Sequence, residues 1–290
     1  MMIKTLREYI EEAEEKKVAI GHFNISDIVG FWAIVNTSKK LNLPVIIGVS
    51  EGERDFIGVK QAEAIVDGLQ TEGLPIFLNA DHTYSVERVK EVIDIGFDAV
   101  IIDSADKPFE ENVKITKEVV AYRKKKKRKI LVEAELGFIG KSSNLLDKIP
   151  EGAGFTDEMM TKPKEAEEFV KQTGIDMLAP AVGNIHGMLK SGHNPKINIE
   201  RIKRLRSAAG IPLVLHGGSG INDYEFKQAI EAGISIIHIN TEIRLAYKKG
   251  IQKALSEKPD EIAPYKFLKP GLEAMQAVIE QRLKLFNNLV

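Results

Sequence analysis

At 290 residues the chain is long enough for a large core and falls within the size range of one α/β barrel. Its 41 basic and 42 acidic residues leave a formal net charge of -1, so no bulk field favours nucleic acid or an anionic membrane surface. With no cysteine, a disulfide framework and any thiolate metal ligand are excluded.

The first segment, Met1 to Glu8, is amphipathic and charged, and it lacks the apolar stretch of a signal peptide. No run approaches the roughly 18 apolar residues of a membrane span, and the expected location is cytoplasmic. From residue 18 onward, short apolar runs alternate with longer amphipathic segments. The runs are 18–23, 44–49, 75–81, 99–103, 130–135, 177–182, 212–216 and 234–240. Most are too short and too β-branched for helices. Near-continuous apolarity is what a parallel strand buried on both faces shows. The intervening segments, among them 86–95, 111–124, 164–173, 199–209 and 223–232, carry helical periodicity. Several stop at a glycine just before the next run: Gly96, Gly174, Gly210 and Gly233. Eight such units with no break in composition predict a single (β/α)8 barrel domain over 1–290. Residues 138–163 interrupt the alternation after the fifth strand and read as a lid-like insertion. The basic run Lys124 to Lys129 falls in a turn on the barrel's N-terminal face, where cations complement a helix C-terminus.

In this architecture the chemistry sits at the C-terminal ends of the strands. Those ends carry Asp81 and His82, Asp103, Glu133 and Glu135, His186, His216, and His238 with Asn240 and Thr241. Five of the six histidines, all but His193, fall at or near strand ends, with His22 on the first strand. Structural histidines would show no preference for one rim. Three imidazoles from different strands, His82, His186 and His216, suit Zn2+, which accepts three protein ligands and keeps a position open for substrate. Co2+, Fe2+ and Mn2+ fit the same nitrogen donors. Asp81 and His82 are neighbours, so both reach the site only where the backbone departs from strand geometry. A carboxylate there is placed for general acid/base work. Asp103 and Glu135 either hold an imidazole or form an alternate metal position. The Gly217-Gly218-Ser219-Gly220 turn, with Asn240, Thr241 and Lys190, reads as a phosphate cup built on backbone N–H groups.

With these residues in view, the chain resembles the class II, metal-dependent ketose-bisphosphate aldolases. The resemblance runs from Gly21-His22-Phe23-Asn24 almost to the C-terminus. It rests on Asn79-Ala80-Asp81-His82, Glu133-Ala134-Glu135-Leu136-Gly137, Gly183-Asn184-Ile185-His186-Gly187 and Leu215-His216-Gly217-Gly218-Ser219-Gly220. It implies zinc on His82, His186 and His216, proton transfer by Asp81, and alternate metal-site acids at Asp103 and Glu135. It also implies a dihydroxyacetone phosphate site at Gly187, Lys190, Gly217, Ser219, Asn240 and Thr241, a monovalent cation, and a homodimer or homotetramer. The substrate class would be a phosphorylated sugar, fructose 1,6-bisphosphate or a relative. Three departures bear on the sugar: His238 stands where the family usually has Asn, the loop after Gly137 lacks an early carboxylate, and Asp81-His82-Thr83 and Asp103-Ser104-Ala105 replace Asp-His-Gly and Asp-Gly-Ser. The competing readings are a metal-dependent hydrolase on the same barrel and a catalytically weak, metabolite-binding barrel.

Overall fold

The computed structural model describes residues 3–127, 129–140, 143–153, 156–191 and 194–289. Lys141, Ser142, Gly154 and Phe155 of the expected insertion, and His193, lie outside the described residues. Eight parallel strands close into a barrel: β1 (Ile20–Asn24), β2 (Val45–Val49), β3 (Ile76–Thr83), β4 (Ala99–Ile102), β5 (Leu131–Leu136), β6 (Met177–Pro180), β7 (Leu213–Leu215) and β8 (Ile234–Ile239). Each of the eight predicted runs overlaps one of them, with its ends within about two residues of the strand's. Neighbours in sequence are neighbours in space, and β8 returns to β1 with His22 opposite His238. None of the described helices is long and apolar enough to cross a membrane.

Period-two alternation divides the barrel interior into layers. The lowest is apolar: Ile20, Ile46, Phe77, Ala99, Leu131, Met177, Val214 and Ile236. The helix Leu6–Lys16 lays Leu6, Ile10 and Ala13 under this layer and closes the barrel's N-terminal mouth. Its capping box at Thr5 and Glu8 fixes where it begins. The charged N-terminal segment is therefore a plug. Two residues further along the same strands come His22, Gly48, Asn79, Ile101, Glu133, Ala179, His216 and His238. Another two give Asn24, Asp81, Asp103 and Glu135. An apolar floor thus carries two polar layers, all at the C-terminal end.

The outer faces of the strands, Phe23, Val45, Ile47, Leu78, Val100, Val132 and Ile237 among them, pack against the surrounding helices in one continuous core. Gly96, Gly174, Gly210 and Gly233 all take positive φ at helix ends, as their spacing predicts. Within the insertion, Leu145–Leu146 pairs in parallel with Met188–Leu189, tying it to the loop that carries His186. Its other end is pinned where Thr161 donates to Leu136 O and the buried Arg201 donates to Thr161 O at 2.9 Å.

Candidate metal centre and active site

The strand β3 solves the problem of aiming adjacent residues inward. The β3–β4 register slips between Ala80 and Thr83, and His82 takes φ +37°. A left-handed conformation is uncommon for any residue but Gly, although Asn, Asp and His adopt it more readily than most. Here it rotates His82 onto the same side as Asp81. The bulge is held from outside the barrel by Arg54, fully buried, whose guanidinium donates to Val49 O (2.7 Å), Asp81 O (3.3 Å) and Thr83 Oγ1 (3.1 Å).

His82, His186, His216 and Glu135 bring one donor atom each to within 4.8 Å of one another. For two of the rings, carboxylates select which nitrogen is offered. Asp103 Oδ2 lies 2.9 Å from His82 Nδ1, so in the neutral ring that nitrogen carries the proton and Nε2 keeps its lone pair for a metal. Glu133 Oε1 lies 2.7 Å from His216 Nε2 and turns Nδ1 inward. His216 Nδ1 then stands 3.2 Å, and His186 Nε2 3.6 Å, from Glu135 Oε1. These three buried atoms have no hydrogen-bond partner. Convergent, unpartnered nitrogen and carboxylate donors deep in a protein are costly unless a cation joins them. The residues fit a divalent ion with nitrogen and oxygen donors.

Electrostatics point the same way. Burial opposes a charge on His82, yet Asp81 and the hydrogen bond to Asp103 outweigh it and raise the ring to about 9. Burial likewise opposes a charge on His216, and Glu133 overrides it, holding the ring well above the usual imidazole range. Burial would raise Asp81, but His82, His22, His216 and a hydrogen bond from Asn24 hold it far below the usual carboxylate range. The cluster attracts positive charge, whether protons or a metal ion.

Asp81 sits beside this centre, Oδ1 3.8 Å from His82 Nε2. Its other oxygen accepts from Asn24 Nδ2 at 2.8 Å, and the same amide donates to Glu53 Oε2 at 2.9 Å. Glu53 is saturated by Ser50 N and Oγ (both 2.8 Å), Ser26 Oγ (3.2 Å) and Arg244. Asn24 therefore fixes one face of Asp81 and leaves Oδ1 free of hydrogen bonds.

Of the expected phosphate residues, Gly187, Gly217, Ser219, Asn240 and Thr241 line one cavity together with His238, Asp81, His82 and His186. Gly217 has φ +62°, and a Cβ there would lie 2.1 Å from Ile185 O, so only glycine lets the two loops meet. Asn194 clamps them from below, donating to Gly187 O (3.0 Å) and Ser219 O (2.8 Å). Lys190 is exposed and pairs with Asp147 of the insertion at 2.9 Å, outside that lining. Asp103 is likewise set back from the donor cluster, behind His82. The residues that sequence reasoning gave no role are Glu133, Asn24, Glu53, Arg54 and Asn194. The period-two spacing from Glu135 back to Glu133 was the available signal for the first.

With the geometry established, similarity to known proteins is informative. Residues 4–289 match the family model described as fructose-bisphosphate aldolase class-II. The chain belongs to the class II fructose-bisphosphate aldolase family. It is 39% identical over 292 residues to a fructose-bisphosphate aldolase of Geobacillus stearothermophilus, covering 99% of this chain and 98% of that one. A fructose-bisphosphate aldolase of Staphylococcus epidermidis is 36% identical over 291 residues, with the same coverage. Among solved structures, the YdjI aldolase of Escherichia coli superposes with a TM-score of 0.79 at 29% identity, over 98% of this chain and 97% of that one. A fructose-bisphosphate aldolase from Campylobacter jejuni shares the fold, with a TM-score of 0.80 at 20% identity over 98% of this chain and 95% of that one. The protein is thus an enzyme of the aldehyde-lyase class, from a metal-dependent family whose reaction is reversible aldol cleavage.

Proposed function

We propose that the chain cleaves a ketose bisphosphate, fructose 1,6-bisphosphate or a relative, to dihydroxyacetone phosphate and an aldehyde, and runs the reverse condensation. The observation that carries this reading is the juxtaposition of the His82, His186, His216 and Glu135 donors with Asp81 in one cavity. His82, His186 and His216 would hold Zn2+, with Co2+, Fe2+ or Mn2+ as substitutes on the same donors. Glu135, and Asp103 behind His82, supply the carboxylates for an alternate position or for orienting the rings. When bound, the ion withdraws electron density from the ketose carbonyl and stabilises the charge left by carbon–carbon cleavage.

The chain's own groups do the rest. Asp81, held ionised by its neighbours and fixed by Asn24, accepts the proton of the C4 hydroxyl in cleavage and returns it in condensation. Backbone N–H groups of Gly187, Gly217 and Thr241, with Ser219 and Asn240, cradle the phosphate of the dihydroxyacetone unit, and a monovalent cation assists there. Lys190 joins when the insertion 138–163 closes over the single barrel domain. The insertion already reaches the site, where Asn240 Nδ2 donates to Ser143 Oγ at 3.4 Å and Leu145–Leu146 pairs with Met188–Leu189. The reading includes a cytoplasmic homodimer or homotetramer.

The test is a coupled cleavage assay on the fructose and tagatose bisphosphates. Turnover abolished by chelation and restored by Zn2+ supports it. Release of inorganic phosphate without carbon–carbon cleavage overturns it in favour of a hydrolase.

A further inference from the structure

Three imidazoles form a column across the barrel layer just above the apolar floor, and two of them, His22 and His238, have no role in the reading above. His22 on β1 and His238 on β8 are register partners, and their rings stack with centroids 3.5 Å apart and planes 3° from parallel. On the other face of His238 lies His216, 4.1 Å away at 21°. All three are buried. His238 has little else to hold it. Its Nδ1 is 3.6 Å from Asp81 Oδ1, beyond hydrogen-bonding distance, and its Nε2 has no partner. Its ring angle is therefore set by the flat faces on either side.

His22 is itself built in. Asn79 Nδ2 lies 3.0 Å from His22 Nε2, a buried side-chain contact that ties the ring to β3. On β2, Gly48 makes the necessary room: a Cβ there would fall 2.2 Å from His22 Cε1 and 2.6 Å from Nε2. Gly48 pairs with Asn24 on one side and Asn79 on the other, in the middle of the sheet, where glycine weakens a strand and calls for a reason. The reason is the His22 ring.

We infer that His22 is a positioning residue, a wedge seated over Gly48 whose stacking fixes the His238 ring against Asp81 and the bound ketose. The inference rests on the aldolase reading only for its kinetic arm. His22 supplies no atom to the donor cluster or the phosphate cup; it reaches Asp81 both through the stacked His238 ring and directly, with donor atoms of His22, Asp81 and His238 all within 4.8 Å of one another, so its effect falls on turnover.

A double-mutant cycle on the metal-loaded enzyme tests it, with ring nitrogens read separately by NMR of 15N-histidine-labelled protein. His22→Ala is expected to lower kcat about tenfold or more while metal content holds and KM changes by less than about threefold, since small displacements near reacting groups cost rate steeply. Gly48→Ala, which touches no substrate, should do the same by expelling the ring. The double variant should be little worse than His22→Ala alone, because the added Cβ then meets only Asn24 Oδ1, at 3.0 Å. In the spectra, wild-type His238 should give one sharp tautomer that broadens in both single variants. A kcat for His22→Ala within about twofold of wild type, or losses that simply add in the double variant, would overturn the inference. Should the wild-type protein cleave no ketose, the aldolase reading fails, and the spectra still decide: an unchanged His238 signal in His22→Ala rules the wedge out. If Gly48→Ala does not fold, His22→Ala carries both readouts alone.

Discussion

Glu133 and His216 are joined by a 2.7 Å hydrogen bond in a layer of the barrel that solvent does not reach. The pair decides which face of the imidazole meets a metal ion. With the proton held on Nε2 by the carboxylate, Nδ1 points at Glu135 and at the other two rings. Glu133 thus works at one remove, as carboxylates behind metal-bound histidines do. Replacing Glu133 by Gln keeps the shape but allows either tautomer and leaves part of a polar pair unsatisfied. The expected outcome is a loss of about 10- to 100-fold in metal affinity, measured by competition with a chromogenic chelator. Unchanged affinity would mean the pair is structural only.

Asp81 makes the complementary case. It lies within reach of the donor cluster but contributes no atom to it, and Asn24 restrains it from the other side. Asp81→Asn should keep the metal and the fold yet lower kcat by roughly 10²- to 10⁴-fold, the usual range for a lost acid/base group. Metal analysis and a melting curve on the same sample separate this from unfolding. A variant with wild-type turnover would assign proton transfer elsewhere.

Arg54 supports both residues from behind. Its three acceptors, Val49 O, Asp81 O and Thr83 Oγ1, flank the bulge that brings Asp81 and His82 to the same side. Arg54→Met fills much of the volume but strips donors from buried oxygens, each worth about 1–3 kcal/mol when left unmatched. The variant should melt lower and bind metal more weakly, because His82 loses the strained conformation that aims it. Calorimetry with and without added zinc would show both effects. If only the melting temperature fell, the bulge would be holding itself.

Much of this was legible in the sequence. Buried parallel strands announce themselves as apolar runs, and the histidines stand out because their positions favour one end of those runs. The inward aim of Asp81 with His82 required a break in strand geometry, and the sequence showed that necessity without showing Arg54 as its support. Arg54 lies 27 residues before Asp81 on a different element, and a buried arginine looks like any surface one in a single sequence. The ring stack escaped notice for a similar reason. His22 and His238 are 216 positions apart, and only closure of β8 on β1 makes them register partners. The N-terminal plug was hidden by its charge: Leu6, Ile10 and Ala13 form a narrow apolar stripe among acids and lysines.

The plugged end of the barrel gives the clearest dependence of stability on pH. Asp98, just before β4, accepts from Leu78 N (2.8 Å) and Gln70 Nε2 (2.9 Å) through one oxygen, and burial pushes its carboxyl up to about 6. An unfolded aspartate titrates near 3.9. Between those values the folded state binds the proton more tightly than the unfolded chain, so stability falls as pH rises through that window. Above about pH 6 the folded protein carries the full cost of a buried charge, about 3 kcal/mol for a shift of this size. Asp98→Asn keeps an oxygen acceptor for Leu78 and Gln70 and removes the charge. Its stability relative to wild type should therefore rise from pH 4 to pH 7 and level off beyond. Reversible urea unfolding of both proteins across that range isolates the effect, because every other titrating group is common to the two. A difference independent of pH would show that Asp98 titrates as it would in water.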